Sequence, residues 1–400
     1  MKMLNVLKRS TNQGVFIPEI DGLRFFAIIT VALFHLNTSY DRTYVPSGQG
    51  LKMLNDNMPL LSWYFRRLDL GVKVFFAISG FILSLPFLRH YMLGHRRVEV
   101  GDYFLRRLKR LEPPFLISLF LFFFLRSLSP LPSLEHPWGS LLAGIFYSHV
   151  IAFGESNPIN PVTWSLETEA QFYLIVPVLF WMLFKRKQRW LSLVLLLLLF
   201  LGSVYLRRYV HYSQLNHIMN SLPVYLSNFL VGTAFAWLYL SYPRFFSTRH
   251  LAGDLLGIFS WWLMFSYYKP QYLPGFNVLF NISILLFFIA VFKGKIFNAF
   301  FTWQPVYTIG GMCYSIYLLH YAFFSALIPI TAKWTKSLPY HQGLGLQVLI
   351  IMPVMLVVTS IFYLLVEKPC MDKHWPSKAL AWIKNFLSIP SGSRHPAQKG

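Results

Sequence analysis

Along the chain, apolar runs of about 20 residues alternate with short connections that are polar and often basic. About ten such runs stand out, at 23–40, 71–88, 113–128, 162–184, 190–206, 221–240, 251–268, 276–292, 309–330 and 344–366. Each is close to the ~20 residues an α-helix needs to cross a ~30 Å hydrocarbon core. The pattern predicts an all-α, polytopic integral membrane protein with about ten transmembrane helices. A further apolar stretch, 139–153, is too short to cross. Counting it as a span would move the Lys185–Arg189 cluster to the other side, so it is read as a re-entrant or interfacial piece that other helices bury.

Composition supports this reading. Of 400 residues, 55% are hydrophobic and 13% charged, about half the ~25% charge of a soluble domain. So few charges cannot cover that much apolar sequence with a wetted surface. Two cysteines, Cys313 and Cys370, exclude a disulfide framework. The net charge of +21 sits in short runs between apolar stretches, as in Arg106-Arg107-Leu108-Lys109-Arg110. There is no separate basic domain, RNA-binding signature or zinc spacing, which argues against a nucleic-acid partner and against a metal.

Loop charge orients the helices. With the N-terminus inside, the inner segments carry 24 Lys and Arg and the outer segments 10. The positive-inside rule then leaves both termini in the cytoplasm. The expected organisation is a cytoplasmic segment 1–22, a transmembrane domain 23–366 and a basic cytoplasmic tail 367–400. Glu19, Asp21 and Arg24 stand where a signal peptide would need apolar residues, so the first span is kept. The tail beyond Pro390 reads as disordered.

Ionisable groups within spans are costly and point to function. Arg24 and His35 are separated by about 16.5 Å of rise and about 20° of rotation on a helix, which puts both on one face. His35 then lies about 18 Å into the first span, as a catalytic group or as a packing histidine with a hydrogen-bonded neighbour. Glu169, in the run Trp164-Ser165-Leu166-Glu167-Thr168-Glu169, lies deep in the fourth span and needs a partner. Glu167 is about 200° away around the helix and reads as a wetted residue at the mouth. His320, in Tyr314-Ser315-Ile316-Tyr317-Leu318-Leu319-His320, lies roughly 16 Å into the ninth span. Three ionisable groups at similar depth suggest a shared site, in which a His35–Glu169 pair would serve as general base. Arg107 and Arg110 are three apart and project together from a helical turn. Their guanidinium forks suit phosphate, although a topology signal or contact with anionic lipid fits the same run. Ser79-Gly80 is a small pair suited to close helix packing, and Lys73 could snorkel outward.

Taken in order, these pieces resemble the membrane-bound acyltransferase family 3. The resemblance rests on Asp21-Gly22-Leu23-Arg24 followed by His35, then Gly71-Val72 with Ser79-Gly80-Phe81, then Arg107 and Arg110 ahead of Pro113. Trp164-Ser165-Leu166 with Glu169, Phe172 and Tyr173 follows, then Tyr314 to His320 with Tyr317 between, and Glu367-Lys368-Pro369. The resemblance implies transfer of an acyl group, often acetyl, from an acyl-CoA such as acetyl-CoA to a carbohydrate or glycoside hydroxyl. It implies that Arg24 and His35 serve activity and that Arg107 and Arg110 hold the donor. Asp21, Ser79, Trp164, Ser165, Tyr317 and His320 are further candidates. Lys73 departs from a position often acidic in that family, and Cys313 stands where serine is common. The short C-terminus reads as a stand-alone member without an esterase-like domain. The rival reading is a transporter with mid-membrane polar groups, against which stands the lack of any internal repeat.

Overall fold

Apolar runs this long satisfy their backbone hydrogen bonds only as helices when they face lipid, and the fold follows. A computed structural model describes residues 6–9, 16–44, 49–128, 134–184, 189–268, 272–372 and 375–377. Among these residues the chain is helical, without a β-strand. Ten long helices carry the architecture: α1 (Pro18–Tyr44), α2 (Gly71–Leu93), α3 (Val100–Ser127), α4 (Trp164–Phe184) and α5 (Arg189–Ser213). They continue with α6 (Leu222–Ser241), α7 (Leu251–Tyr267), α8 (Pro274–Lys293), α9 (Cys313–Thr331) and α10 (Tyr340–Phe362). Seven helical stretches are long and apolar enough to cross a membrane by length and composition. The three other expected spans are also helical but fall outside that set. Helix α1 carries Glu19, Asp21 and Arg24 in its first turns, the first half of α3 is basic, and α7 has only 17 residues.

Helix α1 is the hub, packed against α2, α8, α9 and α10. Small residues permit the closest approaches, as expected where lipid offers no hydrophobic drive between helices. A Cβ on Gly80 of α2 would lie 2.0 Å from the Phe229 carbonyl oxygen of α6. On the other side of α1, a short helix Gln304–Gly311 packs through Gly310, whose Cβ would meet the Asp21 carbonyl oxygen at 1.7 Å. The ninth expected span is thereby divided: helix breaks at Met312, after the weak Gly310-Gly311 pair, and resumes as α9. Helix α10 ends in a π-turn, Tyr363–Glu367. It turns the Glu367 carboxylate onto the start of α9, where it accepts from Ser315 N at 3.0 Å and Ser315 Oγ at 2.6 Å.

The short apolar stretch forms two brief helices, Pro137–Ile145 and His149–Phe153, and does not cross. His149 joins them, 3.2 Å from Ser140 Oγ and 3.0 Å from the Glu155 carbonyl oxygen. Glu167 is corrected here. It is not a wetted mouth residue but 2% exposed, with Oε2 accepting from Val150 N at 3.0 Å. The inserted piece covers it and supplies its hydrogen bond. The cluster at 185–188 and the tail beyond 377 lie outside the described residues.

Candidate active site

The cavity that matters lies among α1, α2, α3, α4 and α9, with a volume of about 780 Å³. Its mouth is at the end of the bundle that bears the loop into α3. Arg9, Arg24, Arg106, Arg107, Lys109 and Arg110 all line it. Farther in, Ser79, Ser165, Glu169, Tyr173 and Tyr317 replace the cations. Of the residues expected to form a site, Asp21, Arg24, Ser79, Arg107, Arg110, Ser165, Glu169 and Tyr317 all line this one cavity. His35, His320 and Trp164 do not line it.

At the mouth, one carboxylate serves two arginines. Asp21 is 3% exposed, and its Oδ1 pairs with Arg24 one turn along α1 and with Arg9 Nη1 at 3.3 Å. Arg9 comes from the segment before α1. Neighbouring Leu7 is buried against Met312 and Tyr363, and Lys368 Nζ donates to the Val6 carbonyl oxygen. Burial, with Arg110 and Arg24 nearby, holds Arg9 below the ordinary guanidinium range. Glu367 lies near Arg9 and Arg110, and Arg106 pairs with Asp102 at 3.7 Å, yet cations outnumber carboxylates in the lining. Among the described residues the buried Nε atoms of Arg9 and Arg110 have no hydrogen-bond partner. Such a cradle suits a phosphate-rich anion.

Arg107 is held differently. Its guanidinium lies 3.7 Å from the Tyr103 ring centroid and 5.5 Å from that of Tyr173, and Nη1 donates to the Tyr103 carbonyl oxygen at 2.9 Å. Tyr173 donates to Glu169 Oε1, which also accepts from Ser79 Oγ at 2.5 Å. Glu169 thus has the partner its depth demands, on α2 and its own helix. The sequence suggested a His35–Glu169 pair, and no hydrogen bond joins them among the described residues. The Ser79-Gly80 pair divides its work, glycine for packing and serine for the carboxylate.

The histidines form a second layer. His35 and His320 face each other with ring centroids 5.3 Å apart, and Tyr321 packs edge-on to His35 at 5.4 Å. His35 therefore faces α9, while Arg24, further toward the mouth, lines the cavity. His320 is fully buried, and its Nδ1 lies 3.0 Å from the Ile316 carbonyl oxygen and 2.8 Å from that of Tyr317. A carbonyl only accepts, so Nδ1 carries the proton and Nε2 presents a lone pair. Among the described residues that Nε2 is buried without a partner, which leaves it free to accept a hydrogen bond. Tyr317 separates the layers: its ring lies 6.3 Å from His320, while its hydroxyl donates to the Val162 carbonyl oxygen at 2.5 Å and meets Ser165 Oγ at 3.1 Å. Trp164 turns away, packing on Phe76 and Tyr225. No set of three His, Cys, Asp or Glu side chains that could hold a metal appears among the described residues.

A bundle of membrane helices around a polar cavity, basic at one end and backed by a histidine pair, defines an integral membrane protein with a site fit for group transfer. The family model described as acyltransferase domain matches residues 17–364, and the chain belongs to this family. Among curated proteins it is 26% identical over 329 residues to O-acetyltransferase OatA of Staphylococcus aureus, covering 76% of this chain and 50% of the relative. It is 23% identical over 351 residues to peptidoglycan O-acetyltransferase OatA of Listeria monocytogenes, covering 81% and 52%. To the putative peptidoglycan O-acetyltransferase YrhL of Bacillus subtilis it is 24% identical over 386 residues, covering 90% and 55%. The chain spans about half the length of these relatives. No solved structure matches it.

Proposed function

We propose that the chain is a membrane O-acetyltransferase that moves acetyl from acetyl-CoA to a hydroxyl of a carbohydrate or glycoside. The observation that carries this reading is a cavity of about 780 Å³ whose mouth gathers more cations than carboxylates. Arg107 and Arg110 hold the phosphates of the donor, with Arg24 beyond them, and the thioester points inward. The acceptor oxygen attacks the thioester carbon, the carbon–sulfur bond breaks, and CoA leaves as the thiolate. The hydroxyl proton is taken up by His35, which lies one layer behind the cavity wall past Tyr317 and is reached only as the acceptor passes that ring, and it returns to the thiolate. Glu169, tied to Ser79 and Tyr173, shapes the inner end of the cavity.

The charge pattern supports a basic mouth in the cytoplasm of a bacterial cell, with both termini on that side of the plasma membrane. Residues 23–366 act as the transferase domain between the N-terminal segment 1–22 and the basic tail 367–400. The names of two relatives include peptidoglycan, which supports a cell-surface glycan as acceptor class. The test uses purified full-length protein with labelled acetyl-CoA, with and without membrane glycan extract. Free CoA thiol released together with acetylated glycan is the expected result. Movement of unmodified glycan across proteoliposomes without thiol release would replace transferase by transporter.

A further inference from the structure

A second polar cluster lies at the end of the bundle away from the basic mouth. Lys73 sits in the first turn of α2, at the end remote from the loop that leads to Arg107. Its Nζ donates to Tyr268 Oη at 2.8 Å, and Tyr268 donates to Asp69 Oδ2 at 2.5 Å. Lys73 and Asp69 are themselves 4.0 Å apart. Arg207, near the far end of α5, lies 4.9 Å from the ring centroid of Tyr225, which Lys73 approaches at 5.8 Å. Two cations therefore share one aromatic ring, and only Lys73 has a carboxylate beside it.

The charges do not balance. Arg207 is 5% exposed, and among the described residues neither its Nε nor its Nη1 has a hydrogen-bond partner. No carboxylate stands within ion-pair distance of it among the described residues. A buried guanidinium is costly unless its donors are satisfied, and its fork fits a carboxylate or phosphate oxygen pair. The surroundings are aromatic. Tyr225 packs against Trp164 at 5.5 Å and Phe76 at 5.2 Å. Phe76 also lines the main cavity, and Trp164 precedes Ser165, which lines it too. Of these rings Phe76 lines the cavity, and Trp164 and Tyr225 pack behind it, between the cavity and Arg207.

We propose that Arg207 and the Trp164–Tyr225 wall form an acceptor subsite for a negatively charged glycan, one bearing a carboxylate or phosphate beside the hydroxyl to be acetylated. The assignment rests on the transferase reading. Arg207 holds the anion, Lys73 adds a positive field tempered by Asp69, and the rings offer an apolar face to the sugar. Arg207 here sets specificity and takes no part in bond making.

The test measures binding apart from turnover. Full-length protein in nanodiscs is titrated with 4-nitrophenyl glucuronide, the 6-phosphate of 4-nitrophenyl glucoside, and the neutral glucoside. One anionic probe should bind at least about tenfold more tightly than the neutral one, a difference of ~1.4 kcal/mol. The two anionic arms show whether carboxylate or phosphate is preferred. Arg207→Gln should bring charged and neutral probes within about twofold of each other, and Arg207→Lys should recover part of the preference. Acetyl-CoA affinity should stay at its wild-type value in both. Equal binding of all three probes by the wild type overturns the subsite without any variant. A loss common to charged and neutral probes in Arg207→Gln overturns it too, leaving Arg207 as a packing residue. Thiol release from acetyl-CoA is followed in parallel. A charge preference without thiol release would leave the subsite standing and defeat the transferase reading, whereas thiol release without the preference would do the reverse.

Discussion

The two polar ends of the bundle use the same parts and differ in access. At the basic mouth, two arginines share Asp21 while Arg107 rests on tyrosine rings. At the far end, Lys73 shares Asp69 through Tyr268 while Arg207 rests on Tyr225. The mouth opens into about 780 Å³ of cavity, whereas Lys73 and Arg207 are 5% exposed. An open site can load a large, highly charged molecule from water and release it. A closed one makes every ligand desolvate on entry, so charge and shape discriminate more sharply there. The histidine pair lies beyond Tyr317 from the mouth, and substitutions can test whether donor binding and acceptor choice are separate properties of the two ends.

The largest effect is expected at the histidines. His35→Ala should lower turnover by roughly 10²–10⁴-fold, the range of a lost general base. Donor affinity at the mouth should hardly change, because no described contact links His35 to the arginines there. Normal insertion with more than about a tenth of wild-type turnover would remove His35 from the chemistry and leave the two ends unconnected by it. Next is Asp21→Asn. It removes the carboxylate that Arg9 and Arg24 share, and leaving buried cations unpaired costs about 3 kcal/mol. A clear drop in melting temperature is expected, recovered in part by CoA, which resupplies negative charge. A drop that CoA does not relieve would mean that Asp21 serves packing more than charge.

Arg110→Ala comes third. Losing one charge-assisted contact of roughly 1.5–3 kcal/mol should weaken acetyl-CoA by about tenfold to a hundredfold in calorimetry, with Arg110→Lys recovering part. Preference among acceptors should not move. If it does, the ends are coupled and the contrast drawn between them fails.

Much of this was legible in the residue pattern and some was not, for identifiable reasons. Helical class follows from apolar run length, although seven stretches and not ten meet the length and composition needed to cross. Arg107 and Arg110 both reach the cavity from the helix their spacing implies. Of the two partners of Glu169, Tyr173 stands one helical turn along, but Ser79 could not be read, because it lies 90 positions away and Ser-Gly in a membrane helix suggests packing first. Glu167 looked wetted because nothing local announces that Val150 will cap it. Nothing in the sequence singles out Arg207. Only its burial among aromatic rings separates it from Arg208, which is exposed. His320 was legible as a candidate, but its lone pair emerges only from the carbonyls that fix its tautomer.

Arg9 gave the least signal, being one basic residue in a basic segment, and its substitution should have the smallest effect. Arg9→Ala removes a contact to Asp21 that is long, 3.3 Å, and frees that carboxylate for Arg24 alone. It also removes a positive neighbour from Arg110 and Arg24, which add to the burial that holds Arg9 below its ordinary range. The two consequences oppose each other. Losing a cation weakens the pull on the donor phosphates, and relieving the crowding lets the remaining arginines stay charged at lower cost. The net change in acetyl-CoA affinity should be no more than about fivefold, or ~1 kcal/mol. Its dependence on ionic strength should be shallower than for Arg110→Ala, since a crowded cation contributes less to the field that salt screens. A loss as large as that of Arg110→Ala would make Arg9 a principal phosphate ligand and extend the donor site into the segment before α1.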